Sequence, residues 1–192
     1  MKPLTDEDIA RLRVILAERP AGEILTTEHR RACVVIPLIR SEEGWAILFS
    51  RRSESLPIHR GQIAFPGGSV EEDEPLELAA VRETEEEVGI PRDQIELIGR
   101  LDDVVTNSGF VVAPFVGIIP SQFEYVLQQS EVAEVFEAPI HLLMEAPNPE
   151  VRYVEYRSKK YPAYFYRYES TEIWGLTGRM LKELLDLVWL AR

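Results

Sequence analysis

A chain of 192 residues, 45% hydrophobic and 28% charged, is long enough for one domain with a sizeable core and has the composition of an ordinary globular protein. Its formal net charge of −12 argues against wholesale binding to nucleic acid or to an anionic membrane surface. A single cysteine, Cys33, rules out an internal disulfide; with no basic-then-apolar leader and no apolar run of membrane-spanning length, a cytoplasmic protein is expected.

In chain order, Thr5 to about Glu18 predicts an amphipathic helix that covers the sheet. Thr5 is its cap, Asp6 to Asp8 fill the first turn, and Ile9, Leu12, Ile15 and Leu16 face inward. Ala32 to Ile39 and Trp45 to Phe49 read as apolar strands joined by a hairpin turn at Ser41-Glu42-Glu43-Gly44, with Cys33 a buried thiol in the first. Arg51 to Arg60 reads as a loop, followed by a strand at Gln62 to Phe65 and a glycine turn. A helix then opens with Pro75 in its first turn, stops at Gly89, and is barred from continuing by Pro91. Strands near Ile95–Leu101 and Val111–Ile119 flank a polar loop, Asp102 to Gly109. Glu131 to Phe136 suits a short strand and Pro139 to Leu143 a brief helix. Tyr153–Tyr156 and Tyr161–Tyr168 form an aromatic hairpin around Arg157-Ser158-Lys159-Lys160, suited to packing, to an oligomer contact or to clasping an adenine. The chain closes with a helix from about Thr177 to Ala191, striped by Met180, Leu181, Leu184, Leu187 and Val188. No repeat or linker divides it, so residues 1–192 are expected to form one domain, with 1–28 as N-terminal helix and lead-in.

The helix after Pro75 carries the chemistry. At about 100° per residue, Val81, Thr84 and Val88 fall on one side, and Glu83, Glu86 and Glu87 on an adjacent one. Like charges at these spacings repel by roughly 0.2–0.5 kcal/mol per pair. Glu86 and Glu87 also occupy the last turn, where the helix dipole disfavours negative charge. A cation is therefore expected against this face, and hard ions such as Mg²⁺ take carboxylate, carbonyl, water and phosphate oxygens. The plainer alternative is a solvated acidic helix paired with Arg82.

The spacing of Gly68, Glu74, Arg82-Glu83, Glu86-Glu87 and Gly89-Ile90 resembles the signature of the Nudix hydrolases, with Thr84 standing where that pattern has an aliphatic residue. The resemblance implies an α/β/α sandwich with a mixed β-sheet and metal-dependent hydrolysis of a nucleoside-linked pyrophosphate. It implies Mg²⁺ or Mn²⁺ held by Glu83, Glu86, Glu87 and the carbonyl of Gly68. Glu83 would act as base through a bound water, with Glu131 as the alternative; Arg82 would orient the carboxylates and Glu74 would be structural.

The stretch before the signature is similar to the extra motif of coenzyme A pyrophosphatases within that family: Leu48-Phe49-Ser50-Arg51-Arg52-Ser53, then Gly61, then Phe65-Pro66-Gly67-Gly68. Pro57 departs from it, standing where the motif has an arginine. Later segments, among them Leu101 to Thr106, Pro114 to Gly117 and Ile173 to Thr177, resemble the same subfamily, so that the likeness spans about residues 30–185. It implies a small-molecule substrate of the coenzyme A class. Arg51, Arg52 and Arg60 are the candidates for a phosphate grip, and Phe65 is a further candidate substrate contact; solvated loop charges are the other reading of the arginines. His59 suits a structural or exposed role. A Nudix hydrolase of ADP-ribose or a dinucleotide, and a Nudix-like binding domain without catalysis, are the competing functions.

Overall fold

The computed structural model describes residues 1–192 apart from Thr27, Ala146, Arg157 and Ser158. Helix α1 (Asp6–Glu18) leads to strands β1 (Arg30–Ser41), β2 (Gly44–Arg52), β3 (Ile63–Ala64) and β4 (Gly67–Ser69), then to helix α2 (Leu76–Val88). Strands β5 (Glu96–Arg100), β6 (Val104–Val105), β7 (Phe110–Ile118) and β8 (Val132–Pro139) follow, then α3 (Ile140–Leu143). The chain ends in β9 (Glu150–Tyr156), β10 (Lys159–Tyr168), β11 (Thr171–Ile173) and α4 (Gly175–Ala191). Among the described residues, the first eight strands make one mixed sheet, ordered β3-β2-β1-β7-β5, with β4 on β1, β6 on β7 and β8 on β2. Its parallel pair is β1 with β7, in register from Arg30 opposite Phe110 to Leu38 opposite Ile118. Strands β9 to β11 form a second, antiparallel sheet.

Side chains alternate across a strand with period two, and here that alternation sorts the core into two halves. Cys33, Val35, Ala46, Leu48, Ala113 and Phe115 pack against α2 through Ala79, Ala80, Val81 and Val88. Ile36, Leu38, Ile47, Phe49, Val112 and Val116 face the other way, toward α1, α4 and the hairpin sheet. The expected α/β/α sandwich with a mixed sheet is therefore the observed one. Among the described residues no helix is long and apolar enough to cross a membrane.

Several boundaries differ from the sequence reading. Strand β2 runs through Arg52, well past Phe49, and β8 runs to Pro139. The polar loop before β7 contains β6, and β11, a three-residue strand, was not expected. Pro75 is the cap of α2, one residue outside its first turn. The turn residues Arg157 and Ser158 of the aromatic hairpin lie outside the described residues. Thr84 is fully buried without cost to the helix, because its hydroxyl donates to the Ala80 carbonyl at 2.8 Å. The expected capping of α1 holds: Thr5 Oγ1 accepts from the Asp8 N–H and Asp8 reaches back to the Thr5 N–H.

Candidate active site

Gly67 and Gly68 pass directly over α2. Gly67 has φ +155° and lies hard against Cys33 and Val34 of β1, where only a residue without Cβ fits. A Cβ on Gly68 would place itself 2.5 Å from the Glu83 carboxyl carbon, so the loop backbone and that carboxylate are in contact. The Gly67 N–H donates to Glu87 Oε2 at 3.3 Å, a contact the sequence reading missed. Glu87 is only 4% exposed. Burial, reinforced by the charges of Glu131 and Glu83 and partly offset by the Gly67 hydrogen bond and Arg52, pushes its carboxyl up to about 8. Glu83 is raised as well, chiefly by burial, against the lowering effect of Arg82. Glu86 is exposed at the solvent edge.

Arg82 is held more tightly than the carboxylates it serves. Glu74 accepts from its Nε at 2.8 Å and from its Nη2 at 2.9 Å, and the Ser69 carbonyl accepts at 3.2 Å. The remaining nitrogen donates to Glu83 Oε1 at 2.8 Å and reaches Glu86 at 3.5 Å. Held along one edge by both oxygens of Glu74, the guanidinium is a fixed support for Glu83, and it holds the Glu74 carboxyl down to about 2.

Glu131, just before β8, comes close enough for its charge to act on the same carboxylates. The segment before it crosses the C-terminus of α2, where the Val126 N–H donates to the Val88 carbonyl at 3.2 Å and the Gln128 N–H to the Glu87 carbonyl at 3.0 Å. Gly89, at φ +80°, is required here twice, by its left-handed backbone and by Val126 packed against it. The Glu131 charge acts on both Glu83 and Glu87.

The substrate residues separate. Arg51 and Arg52 are consecutive on β2, at a register irregularity against β8, and their contacts place them on opposite faces of the sheet. Arg52 shares the face of Glu87, which its charge stabilises, and its buried Nε has no hydrogen-bond partner among the described residues. Arg51 is turned to the other face, where its Nε donates to Glu134 at 2.6 Å and its other nitrogens to the Gly61 carbonyl and Thr171 Oγ1, both at 3.3 Å. Of the candidate phosphate arginines, the structure thus places Arg52 on the carboxylate face and Arg51 away from it. Phe65 is corrected: 3% exposed, it stacks on Phe49 at 5.1 Å within the α4-side core. Arg60 is exposed and donates from Nε to the Leu56 carbonyl at 2.7 Å. His59 is exposed and bonds to Gln62 at 2.8 Å. The hairpin sheet packs on α4 and lies off the carboxylate face.

Among the described residues no three His, Cys, Asp or Glu side chains close into a ready-made metal cage. The donors fit a hard divalent ion all the same. Burial raises both Glu87 and the half-buried Glu83, a glycine backbone lies beside Glu83, and open coordination can be completed by water and phosphate oxygens. A cavity of about 610 Å³ lies beyond Ser69 and Glu74, between the lead-in at Ile24–Thr26 and Leu76.

The NUDIX domain profile matches residues 28–158. The chain is 36% identical over 180 residues to a protein of Escherichia coli O7:K1, covering 93% of this chain and 92% of that one. It is 34% identical over 170 residues to one of Photorhabdus laumondii, covering 88% and 90%. Both relatives carry the name uncharacterized Nudix hydrolase NudL. Among solved structures, the Nudix hydrolase RenU of M. smegmatis superposes with a TM-score of 0.52 at 21% identity, over 60% of this chain and 74% of that one.

Proposed function

The chain belongs to the Nudix family and is a Nudix-type hydrolase, and from that premise we propose that it cleaves the pyrophosphate of coenzyme A and its thioesters, giving 3′,5′-ADP and (acyl-)4′-phosphopantetheine. The observation that carries the substrate class is Arg52. It stands in the segment that resembles the coenzyme A motif, faces Glu87, and keeps a buried nitrogen unpartnered among the described residues. An arginine so placed is suited to a phosphate oxygen.

Glu83, Glu86, Glu87 and the Gly68 carbonyl would hold Mg²⁺ or Mn²⁺. When bound, such an ion neutralises diphosphate oxygens and acidifies water. Glu131, or Glu83 through a water, takes the proton of the attacking water as its oxygen bonds to phosphorus and the bridging P–O bond breaks. Arg82, anchored by Glu74, keeps Glu83 in position through the step. Arg52 orients the substrate on this face.

Turnover of coenzyme A, ADP-ribose and NADH at equal concentration, with Mg²⁺ or Mn²⁺ and products identified by mass, tests the assignment. Coenzyme A is expected to lead in kcat/KM. The second reading, an ADP-ribose or dinucleotide hydrolase, is favoured by exposed Pro57 in place of the motif arginine, and faster turnover of ADP-ribose would establish it. A binding domain without catalysis has no use for a buried Glu87 without an ion-pair partner among the described residues.

A further inference from the structure

Two loops meet beside Glu131. The Ser53 N–H donates to the Glu131 carbonyl at 2.8 Å, and Ser55 Oγ donates to the Ser130 carbonyl at 3.3 Å. The two serine hydroxyls bond to each other at 2.8 Å, and the Ser55 N–H donates to Ser53 Oγ at 3.3 Å. On its other side the segment hangs from α2: the Glu131 and Val132 N–H groups both donate to the Gln128 carbonyl, and the Gln128 N–H donates to the Glu87 carbonyl. Glu131 is therefore suspended between the catalytic helix and the loop that follows Arg52. Ser53 is buried and Ser55 is exposed, so the Ser55 hydroxyl ties the suspension without being part of the core.

We infer that Ser55 is a positioning residue for pyrophosphate hydrolysis, tying the loop after Arg52 to the Ser130–Glu131 backbone so that the Glu131 carboxylate is held toward Glu83 and Glu87. The segment that resembles a substrate motif thus also aims a carboxylate of the reaction. This rests on the hydrolase reading above and on Glu131 taking part in it.

The test uses the full chain and four variants, Ser55→Ala, Ser55→Thr, Glu131→Gln and the double variant Ser55→Ala/Glu131→Gln, on whichever nucleoside diphosphate substrate the wild type turns over best. Losing one hydrogen bond of this kind should lower kcat about threefold to tenfold, with KM within about twofold of wild type. Ser55→Thr should restore most of the rate. In the Glu131→Gln background, Ser55→Ala should have no further effect, because the group it aims is gone. An equal loss from Ser55→Ala in both backgrounds would make Ser55 a merely structural residue and overturn the inference. Unchanged kcat in Ser55→Ala, or a wild-type rate in Glu131→Gln, would overturn it too, while wild-type turnover left the hydrolase reading standing. Failure of the wild type to hydrolyse any such substrate with either metal would remove the hydrolase reading first and the inference with it.

Discussion

Glu87 gives the most direct physical test of the carboxylate face, by stability and without substrate. An unfolded chain ionises this group near 4.5, and burial raises it to about 8 in the fold. The folded form thus holds the proton more tightly. The contribution to stability is fully present below about 4.5 and is lost as pH rises through about 8. At about 1.4 kcal/mol for each pH unit separating the two values, the loss reaches at most about 5 kcal/mol. Water entry and relaxation around the ionised group bring the realised figure to about 2 kcal/mol or more. Glu87→Gln keeps the shape, keeps an acceptor for the Gly67 N–H, and cannot ionise. In a metal-free buffer with chelator at pH 8.5, the variant should melt about 4–8 °C above wild type, taking roughly 2–4 °C per kcal/mol for a chain of this size. The gap should narrow to about 1 kcal/mol or less near pH 5, where Glu87 is protonated in the fold and only partly so in the unfolded chain. Millimolar Mg²⁺ or Mn²⁺ should then raise the wild type and not the variant, since an ion bound only by the fold stabilises it by mass action. Scanning calorimetry over pH 5 to 8.5 checks both. A variant that melts at or below wild type at pH 8.5 in chelator would refute the uncompensated buried carboxylate and the ion argued from it.

Three further outcomes follow from the geometry. Arg52→Ala should erase most of the preference for coenzyme A over its form without the 3′-phosphate, about tenfold to a hundredfold in kcat/KM, whereas Arg51→Ala should leave that preference intact; the ratio of the two substrates for each variant decides it. Gly68→Ala forces a Cβ into the Glu83 carboxylate, so turnover should fall by about a hundredfold or more while circular dichroism stays native; full activity would mean that Glu83 need not sit there. Asp103 is buried and accepts from the Ile24 N–H and Arg31, both at 2.9 Å, and from Arg100, so Asp103→Asn should cost about 3 kcal/mol by leaving two arginines short of their counter-charge, read as a melting point lower by roughly 6–12 °C.

The fold was legible where periodicity runs long. The apolar runs of β1, β2 and β7 and the caps of α1 and α2 are strong local signals, and each element formed where its pattern stood. Strands β6 and β11 were not legible, because two or three residues make no period and both exist only by pairing with a longer neighbour. Glu83, Glu86 and Glu87 were visible together as one helical face. Their unequal burial was not, since it depends on Gly67 and on a segment more than thirty residues later crossing the helix end. Glu131 entered only through resemblance; nothing in its local sequence tells it from other surface acids.

The misreadings of Arg51 and Phe65 trace to strand extents. With β2 taken to stop at Phe49, Arg51 and Arg52 were loop neighbours free to converge on one phosphate. Once β2 runs to Arg52, the contacts part them, across a register irregularity against β8: Ile47, Phe49 and Arg51 belong to the α4 side, and Ala46, Leu48 and Arg52 to the α2 side. Phe65 leaves β3 on the α4 side for the same kind of reason, drawn onto Phe49 at 5.1 Å. The arginine committed to Glu134 and Thr171 is thereby a structural tie between β2, β8 and β11, and the other keeps a buried nitrogen without a partner among the described residues, on the face of Glu87. Extending a strand by three residues thus sends two identical neighbours to opposite faces of the sheet.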